Sequence, residues 1–294
     1  MTIALNTASG GMDAFQQMLD VIGNNIANEN TTAFKASSTQ FADILSQTQN
    51  LGSAGSSTTG IGGVNPVQVG LGVRVAQINT DFSQGSMNNT GNQNNLMING
   101  NGFFMVSSVT NPTSLSQIYF TRDGNFNVDS NGNLVTANGY YLLGSTNAIT
   151  PQKITNSTTA ISGLGTINVN NTNGQPMSFS VGPDGTVTVT NGKTSNYYIP
   201  VAVMENQNGL LKAGSDMFTS NGSGTSLVEG TITYDAGGSS SSGTGTVQQG
   251  FLESSNVDLT REMSNMIVAQ TGYEANSKVI NTVNQMNQFM IQQV

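Results

Sequence analysis

The two ends of the chain are patterned differently from its middle. Near the N-terminus, apolar residues fall at Ala8, Met12, Phe15, Leu19, Ile22 and Ile26, in steps of 4, 3, 4, 3 and 4. That alternation predicts a helix offering one narrow apolar seam to a partner. Thr7 or Ser9 could cap it, and the Asn-rich stretch Asn24 to Asn30 should fray its end. The C-terminus repeats the pattern with Leu259, Met263, Met266, Ile267, Tyr273, Val279, Ile280, Val283, Met286 and Met290, and the stripe slips between Tyr273 and Val279. Asn256 or Asp258 is the expected N-cap, with Glu262 placed for reciprocal capping. Such a helix, about 35 residues at ~1.5 Å each, would be near 50 Å long, more than a small domain can cover.

Between the ends the period changes to that of strands. Short β-branched or aromatic runs occupy Val73 to Ile78, Leu96 to Ile98, Phe103 to Val106, Phe126 to Val128, Thr166 to Val169, Ser178 to Val181, Thr186 to Thr190 and Tyr197 to Val203. Asn131-Gly132, Asp184-Gly185 and Asn191-Gly192 are hairpin signals, because Gly and Asn accept the positive φ of tight turns. Ser46 to Gly63 and the Gly/Ser-rich Ala236 to Thr246 have the composition of linkers. The expected fold is α+β: paired long N- and C-terminal helices, coiled-coil-like, attached through linkers to a mainly antiparallel β domain. The expected boundaries are 1–30 and 255–294 for the helices, 31–70 for a linker and 71–254 for the β domain, with a possible small insertion at 145–198.

Composition narrows the function. The 294 residues carry 8 Lys+Arg against 16 Asp+Glu, a net charge of −8. That balance argues against phosphate neutralisation in nucleic-acid binding and against attraction to anionic membranes. Without Cys or His, thiol nucleophiles, zinc held by Cys and His, and Ser-His-Asp triads are excluded. Only 8% of residues are charged, and Gly numbers 35. A polar, nearly uncharged surface lacking Cys suits an oxidising exterior. Yet Met1 to Gly11 has neither the basic n-region nor the apolar h-region of a signal peptide, and no stretch reaches membrane-spanning length.

Motifs for chemistry fail individually. Asp129-Ser-Asn131-Gly-Asn133 starts like a calcium loop, but Leu134 and Tyr140 stand where Gly and a bidentate Glu belong, so it reads as a polar turn. Gly100-Asn-Gly102 lacks the third Gly of a dinucleotide loop, and Asn191-Gly-Lys193-Thr194 lacks the earlier Gly of a phosphate loop. Asp123 and Asp129 flank a short strand rather than forming an acid/base pair, and Arg122-Asp123-Gly124 is a chance-level match to an adhesion tripeptide. No catalytic residue, metal ligand or cofactor site emerges. The terminal seams remain: Met12, Phe15, Leu19, Ile22, Ile26, Met263, Ile267, Val279, Val283, Met286 and Met290 are the candidate self-assembly interface, in helices that should order on association.

Long segments also carry a family resemblance. Leu19-Asp-Val-Ile-Gly-Asn-Asn-Ile-Ala-Asn28 followed by Asn30-Thr-Thr-Ala-Phe34-Lys35 is similar to the basal-body rod signature of the bacterial flagellar rod/hook axial proteins. Asp81-Phe-Ser-Gln-Gly85, Asn99-Gly-Asn-Gly-Phe-Phe104, Tyr119-Phe-Thr-Arg-Asp-Gly-Asn-Phe126 and Asn133-Leu-Val-Thr-Ala-Asn-Gly139 resemble the family's first β module. Gln249-Gly-Phe-Leu-Glu-Ser-Ser-Asn-Val-Asp258, Met266-Ile-Val-Ala-Gln270, Tyr273 and Ala275-Asn-Ser-Lys-Val-Ile280 resemble its C-terminal signature. Ala33 stands where the family usually has Gly, and Asn95-Leu-Met97 replaces the usual Asp-Leu-Ala. The resemblance implies a helical polymer with paired terminal helices lining a channel, exported unfolded through the flagellar type III apparatus without a cleaved signal. It implies as partners other copies of the chain, the distal rod and hook–filament junction proteins, and the hook cap during assembly, at an extracellular basal body or hook. Phe41-Ala-Asp-Ile-Leu45 and Val69-Gly-Leu-Gly-Val73 resemble the hook form, a flexible joint. The distal rod protein, a rigid shaft, is the alternative, and the chain's length is nearer to that of a rod protein.

Overall fold

The computed structural model describes residues 2–52, 63–149, 151–154, 163–169, 178–190, 194–220, 232–239 and 242–292. They form two compact units, one of residues 1–27, 37–81 and 258–294, the other of residues 28–36 and 82–257.

In the first unit, helix α1 spans Thr2–Ala27 and helix α2 spans Leu259–Gln292. α1 begins before its expected caps, so Thr7 lies inside it and returns its hydroxyl to Ile3 O at 2.9 Å. α2 starts where capping predicts: Asp258 Oδ1 accepts from the N–H groups of Thr260 and Arg261 at 3.0 and 3.3 Å. The helices pack on each other through small residues. Gly11 lies against Asn276, and Gly272 lies against the Phe15 ring, where a Cβ would come within 2.8 Å of three ring carbons. Ala8, Ala14 and Ile22 of α1 and Ala269 and Val283 of α2 are buried.

α1 also packs on an antiparallel ribbon, Ser37–Asp43 with Val73–Thr80, whose register shifts at Gln40/Phe41. Phe15 meets Phe41 with ring centroids 5.8 Å apart, and Asn25 bonds both backbone groups of Ser37, at 2.8 and 2.9 Å. The ribbon continues as Gln47–Asn50 paired with Val67–Val69. The stretch expected to be a linker, 31–70, therefore carries strands on both sides of residues 53–62, which lie outside the described residues. Their sequence gives little sign of this, because Gln, Thr and Ser replace the alternating apolar residues of a half-buried strand.

The second unit is mainly antiparallel β. Its largest sheet has the path 152–154, 232–235, 201–204, 103–107, 141–144, 134–136, 126–128. Strands 118–121, 217–219 and 211–214 branch from it at 103–107. Phe103 to Ser107 is wholly buried because both faces of the strand are covered. Phe104 and Val106 join Leu142, Val201 and Ile199 on one side, while Phe103 and Met105 join Leu143, Ala202 and Met204 on the other. A strand covered twice reads as a continuous apolar run rather than an alternating one. The possible insertion at 145–198 is integral to this unit: Ile167, Val169, Phe179, Val187 and Val189 belong to the first core cluster. The Asn131-Gly132 and Asp184-Gly185 turns occur with positive φ at both glycines, 83° and 76°. Asn191-Gly192 lies outside the described residues, between strands Thr186–Thr190 and Thr194–Tyr198.

The glycine contact in α2 yields a test. Gly272→Leu gains about 1 kcal/mol of helix propensity but forces a side chain into the Phe15 ring, an overpacking cost of about 1–3 kcal/mol. Packing should win, so the helical circular-dichroism signal melts at lower temperature than in wild type. An unchanged or higher melt would contradict the contact.

Candidate functional site: a buried ion pair where the chain leaves the β unit

The chain passes between the units four times, after residues 27, 36, 81 and 257. Inside the β unit, the segments beside those passages are bonded together. Residues 28–36 form a strap that begins with a turn, Thr31 N–H donating to Asn28 O at 3.1 Å. The strap is fastened by Ala33 N–H to Glu253 O at 2.8 Å and by Ala36 N–H to Asn256 Oδ1 at 2.8 Å. Asn256, one of the two expected helix caps, serves this junction instead, and its Nδ2 also donates to Ser83 O and Ser83 Oγ at 3.2 and 3.1 Å.

Lys35 is the centre. Its Nζ donates to Glu253 Oε1 at 2.6 Å and to Ser83 O at 2.7 Å. The side chains of Lys35, Glu253 and Arg122 are 0%, 1% and 2% exposed. Arg122 stands 3.6 Å from Glu253 Oε2, donates to Gly100 O at 3.0 Å and lies 5.3 Å above the Phe103 ring. Burial lowers the Arg122 pKa, against the raising pull of the Glu253 charge. Ions so placed are tolerated only in pairs, because removing one leaves the other uncompensated in a low-dielectric interior.

Backbone shape makes this packing possible. A Cβ on Gly85 would collide with Ser254 O, and one on Gly124 would collide with Leu96 O. The glycine of Arg122-Asp123-Gly124 is thus a close-approach glycine and its arginine is buried, so the tripeptide is not displayed for adhesion. Ala33 has φ +59°, the left-handed region. The alanine standing where the family usually has glycine is therefore strained in this turn.

A second polar group borders the strap. Thr32 Oγ1 donates to Asp123 Oδ1 at 3.0 Å, and Lys212 Nζ lies 5.3 Å from the Phe34 ring centroid. Ser215 and Asp216 form a two-residue hairpin turn with φ of 53° and 54°. Burial, followed by the charge of Asp123, pushes the Asp216 carboxyl up to about 6, while Lys212 partly opposes the shift. Burial likewise raises the pKa of Asp123.

The calcium-like loop is a closed turn. Asp129 Oδ1 accepts from Asn131 N–H and Asn133 N–H at 2.9 and 2.7 Å, and Oδ2 accepts from Asn133 Nδ2 at 3.1 Å. Burial alone would raise its pKa, but these donors outweigh it and lower the value. Among the described residues no group of three acidic, His or Cys side chains is placed to hold a metal.

The terminal seam residues divide. Ile22 and Val283 are buried, and Met12, Phe15, Leu19 and Ile26 are half-buried. Met263, Ile267, Val279, Met286 and Met290 are exposed, joined by Val268, Phe289 and Ile291. Apart from Val283, the expected stripe on α2 is thus not the face that meets α1. Ala269, Gly272, Asn276 and Val283 form that face, hidden from an apolarity count because two of them are Gly and Asn. Local pattern also gives no sign that Lys35 and Glu253 pair, although each lies in a quoted motif. Their signal was a charge in an otherwise uncharged stretch of a chain with few charges.

Three outcomes follow from this geometry. Glu253→Gln leaves two buried cations without their anion and should cost about 3–5 kcal/mol in denaturant unfolding of the β unit. Ala33→Gly relieves the left-handed alanine and should add about 0.5–1 kcal/mol in the same measurement, net of glycine's unfolded-state entropy. Asp216 holds its proton more tightly folded than unfolded, so its contribution to stability is lost as pH rises from about 4 through 6. Asp216→Asn should raise the melting temperature at pH 7 more than at pH 4 and flatten the slope between them.

Three family models match this chain. Residues 5–35 match the family described as flagella basal body rod protein, and residues 97–189 match the flagellar hook protein FlgE/F/G D1 domain. Residues 248–293 match the flagellar basal body rod FlgEFG protein C-terminal family. The flagellar basal-body rod protein FlgG of Bacillus subtilis is 39% identical over 294 residues, covering 99% of this chain and 98% of its own. That of Borreliella burgdorferi is 35% identical, covering 97% and 96%. The flagellar hook protein FlgE of Helicobacter mustelae is 46% identical over 144 residues, 49% of this chain but only 31% of its own length. End-to-end similarity thus lies with rod proteins, and the hook reading of the sequence is not the favoured one. The chain belongs to the flagellar rod and hook protein family, as a structural subunit of the flagellar axis.

Proposed function

We propose that this chain is a subunit of the flagellar basal-body rod, in its distal part, and that it polymerises helically into a rigid shaft. The observation that carries the reading is similarity along the whole chain to relatives named as rod proteins. The match to a hook protein stops at less than a third of that protein's length. In this reading the two terminal helices form a coiled-coil-like pair that lines the inner wall of a tube, and the β unit lies outward. Copies stack on one another, with other rod proteins and the hook as axial neighbours. The chain reaches its place unfolded through the flagellar export apparatus and keeps its N-terminus.

The self-assembly surface combines Met12, Phe15, Leu19, Ile22 and Ile26 with Met263, Ile267, Val279, Val283, Met286 and Met290. Exposure supports a division of labour among them. Ile22 and Val283 hold the helices of one subunit together, whereas Met263, Ile267, Val279, Met286 and Met290 are free to meet neighbouring copies. Burying an apolar side chain of this size is worth about 1.5–3 kcal/mol when complete. Five half-exposed ones recur at every subunit and add to the contacts between copies. Leu45 and Leu51 on the ribbon, 85% and 81% exposed, add to that surface.

Two measurements test the proposal. Ile267→Asp should abolish polymerisation while changing subunit stability by only about 0.5 kcal/mol, as expected at an exposed position. Polymers of normal length from this variant would contradict the interface. Deletion of the gene, followed by electron microscopy of basal bodies, should give a shortened rod without a hook. A complete rod without a hook would restore the hook reading, and intact flagella would overturn both.

A further inference from the structure

Glu253 has more cationic partners than its observed geometry uses. Oε1 is engaged, accepting from Lys35 Nζ at 2.6 Å and from Gly85 N–H at 2.8 Å. Oε2 accepts no hydrogen bond from the described residues and stands 3.6 Å from Arg122 Nη1. Arg122 is buried, yet among the described residues its Nε and Nη1 have no hydrogen-bond partner, while Nη2 donates to Gly100 O. Buried donors are almost always satisfied, so an arginine held just short of a free carboxylate oxygen calls for a physical reason. A shift of under about 1 Å would bring the two to the distance of a charge-assisted bond.

We propose that Glu253 is the pivot of a two-state latch, exchanging Lys35 for Arg122 so that the strap 28–36 can open without leaving a bare carboxylate in the interior. The closed state is the one observed. In the open state Lys35 carries its charge into water, and Arg122 closes on Oε2 and satisfies its idle donors. The strap's Ala33, Phe34 and Lys35 are buried, but its backbone attachments are few. It belongs to none of the sheets, and its backbone is fastened to residues 253–256 by few bonds: Ala33 N–H to Glu253 O, Asn256 N–H to Phe34 O, and Ala36 N–H to Asn256 Oδ1. It also carries a left-handed alanine at Ala33. Opening frees nine residues, about 30 Å of extended chain. It unpins two of the four passages between the units and leaves those after residues 81 and 257 in place. The β unit stays folded because each state pairs its buried anion.

Hydrogen exchange on the full-length chain, read by mass spectrometry over the strap and the central strand 103–107, tests the latch. In wild type the strap should exchange at least about a hundredfold faster than the central strand, as a separate opening unit does. Lys35→Met should speed strap exchange about tenfold and leave the central strand nearly unchanged, because Arg122 takes over the carboxylate. Arg122→Gln should slow strap opening about tenfold, because the open state has lost its replacement cation. The double variant should lose protection in the central strand as well, far beyond the product of the two single effects. A purely static support role for Arg122 predicts the opposite sign. Faster or unchanged strap exchange in Arg122→Gln, failure of that variant to fold, or multiplicative effects in the double variant would each overturn the latch.

Discussion

The β unit depends on one buried ion pair. Lys35 and Glu253 are separated by 218 positions in the sequence and meet at 2.6 Å out of contact with water. The Glu253 carboxylate is not tolerable there without a cation beside it. The pair therefore sets the register of everything near it: the strap carrying Lys35, the strand Phe251–Glu253 and its partner Met87–Asn89, and the Ser83 carbonyl that shares the lysine. Glycines at 85 and 124 let backbones approach closely enough for these bonds to form. Apolar packing could fill the same volume, but it would not choose one alignment of strap and strand as sharply.

That choice carries more weight in a chain with so little charge. With 8 basic and 16 acidic residues among 294, most of the surface is amide, hydroxyl and glycine, which discriminate weakly among partners. Long-range repulsion contributes little to keeping copies apart. A quarter of the charged residues gather at this junction: Lys35, Arg122 and Glu253 inside, with Asp123, Lys212 and Asp216 beside the strap. The apolar residues of α2 that face solvent then act on a surface with few competing charges.

Much of this was legible in the sequence, and the exceptions have physical causes. The two helices, the Asp258 cap and the polar turn at Asp129 follow from spacing and side-chain chemistry that act locally. The central strand 103–107 was legible as a continuous apolar run. Of the ribbon, the strand at Val73 to Ile78 was legible, but Ser37–Asp43 and Gln47–Asn50 were not, because Gln, Thr and Ser stand where apolar residues would alternate. The α2 face that meets α1 was legible only at Val283, for a related reason. Gly272 and Asn276 form it through close approach, which an apolar count does not register. The Lys35–Glu253 pair is a long-range pairing whose residues declare charge but not partner, so the motifs containing them pointed to a family without showing what they do.

The strand order has a kinetic consequence. Thr246–Gln249 pairs with Leu96–Asn99, and Phe251–Glu253 with Met87–Asn89, so residues near the end of the β unit pair with residues near its start. Native contacts of such high sequence separation form slowly, because chain entropy is lost before the contacts can compensate for it. A partial chain ending short of residue 246 lacks both pairings and has no anion for Lys35. The closing of the β unit is thus a late folding step by construction, because an incomplete chain lacks the strands that join its two ends.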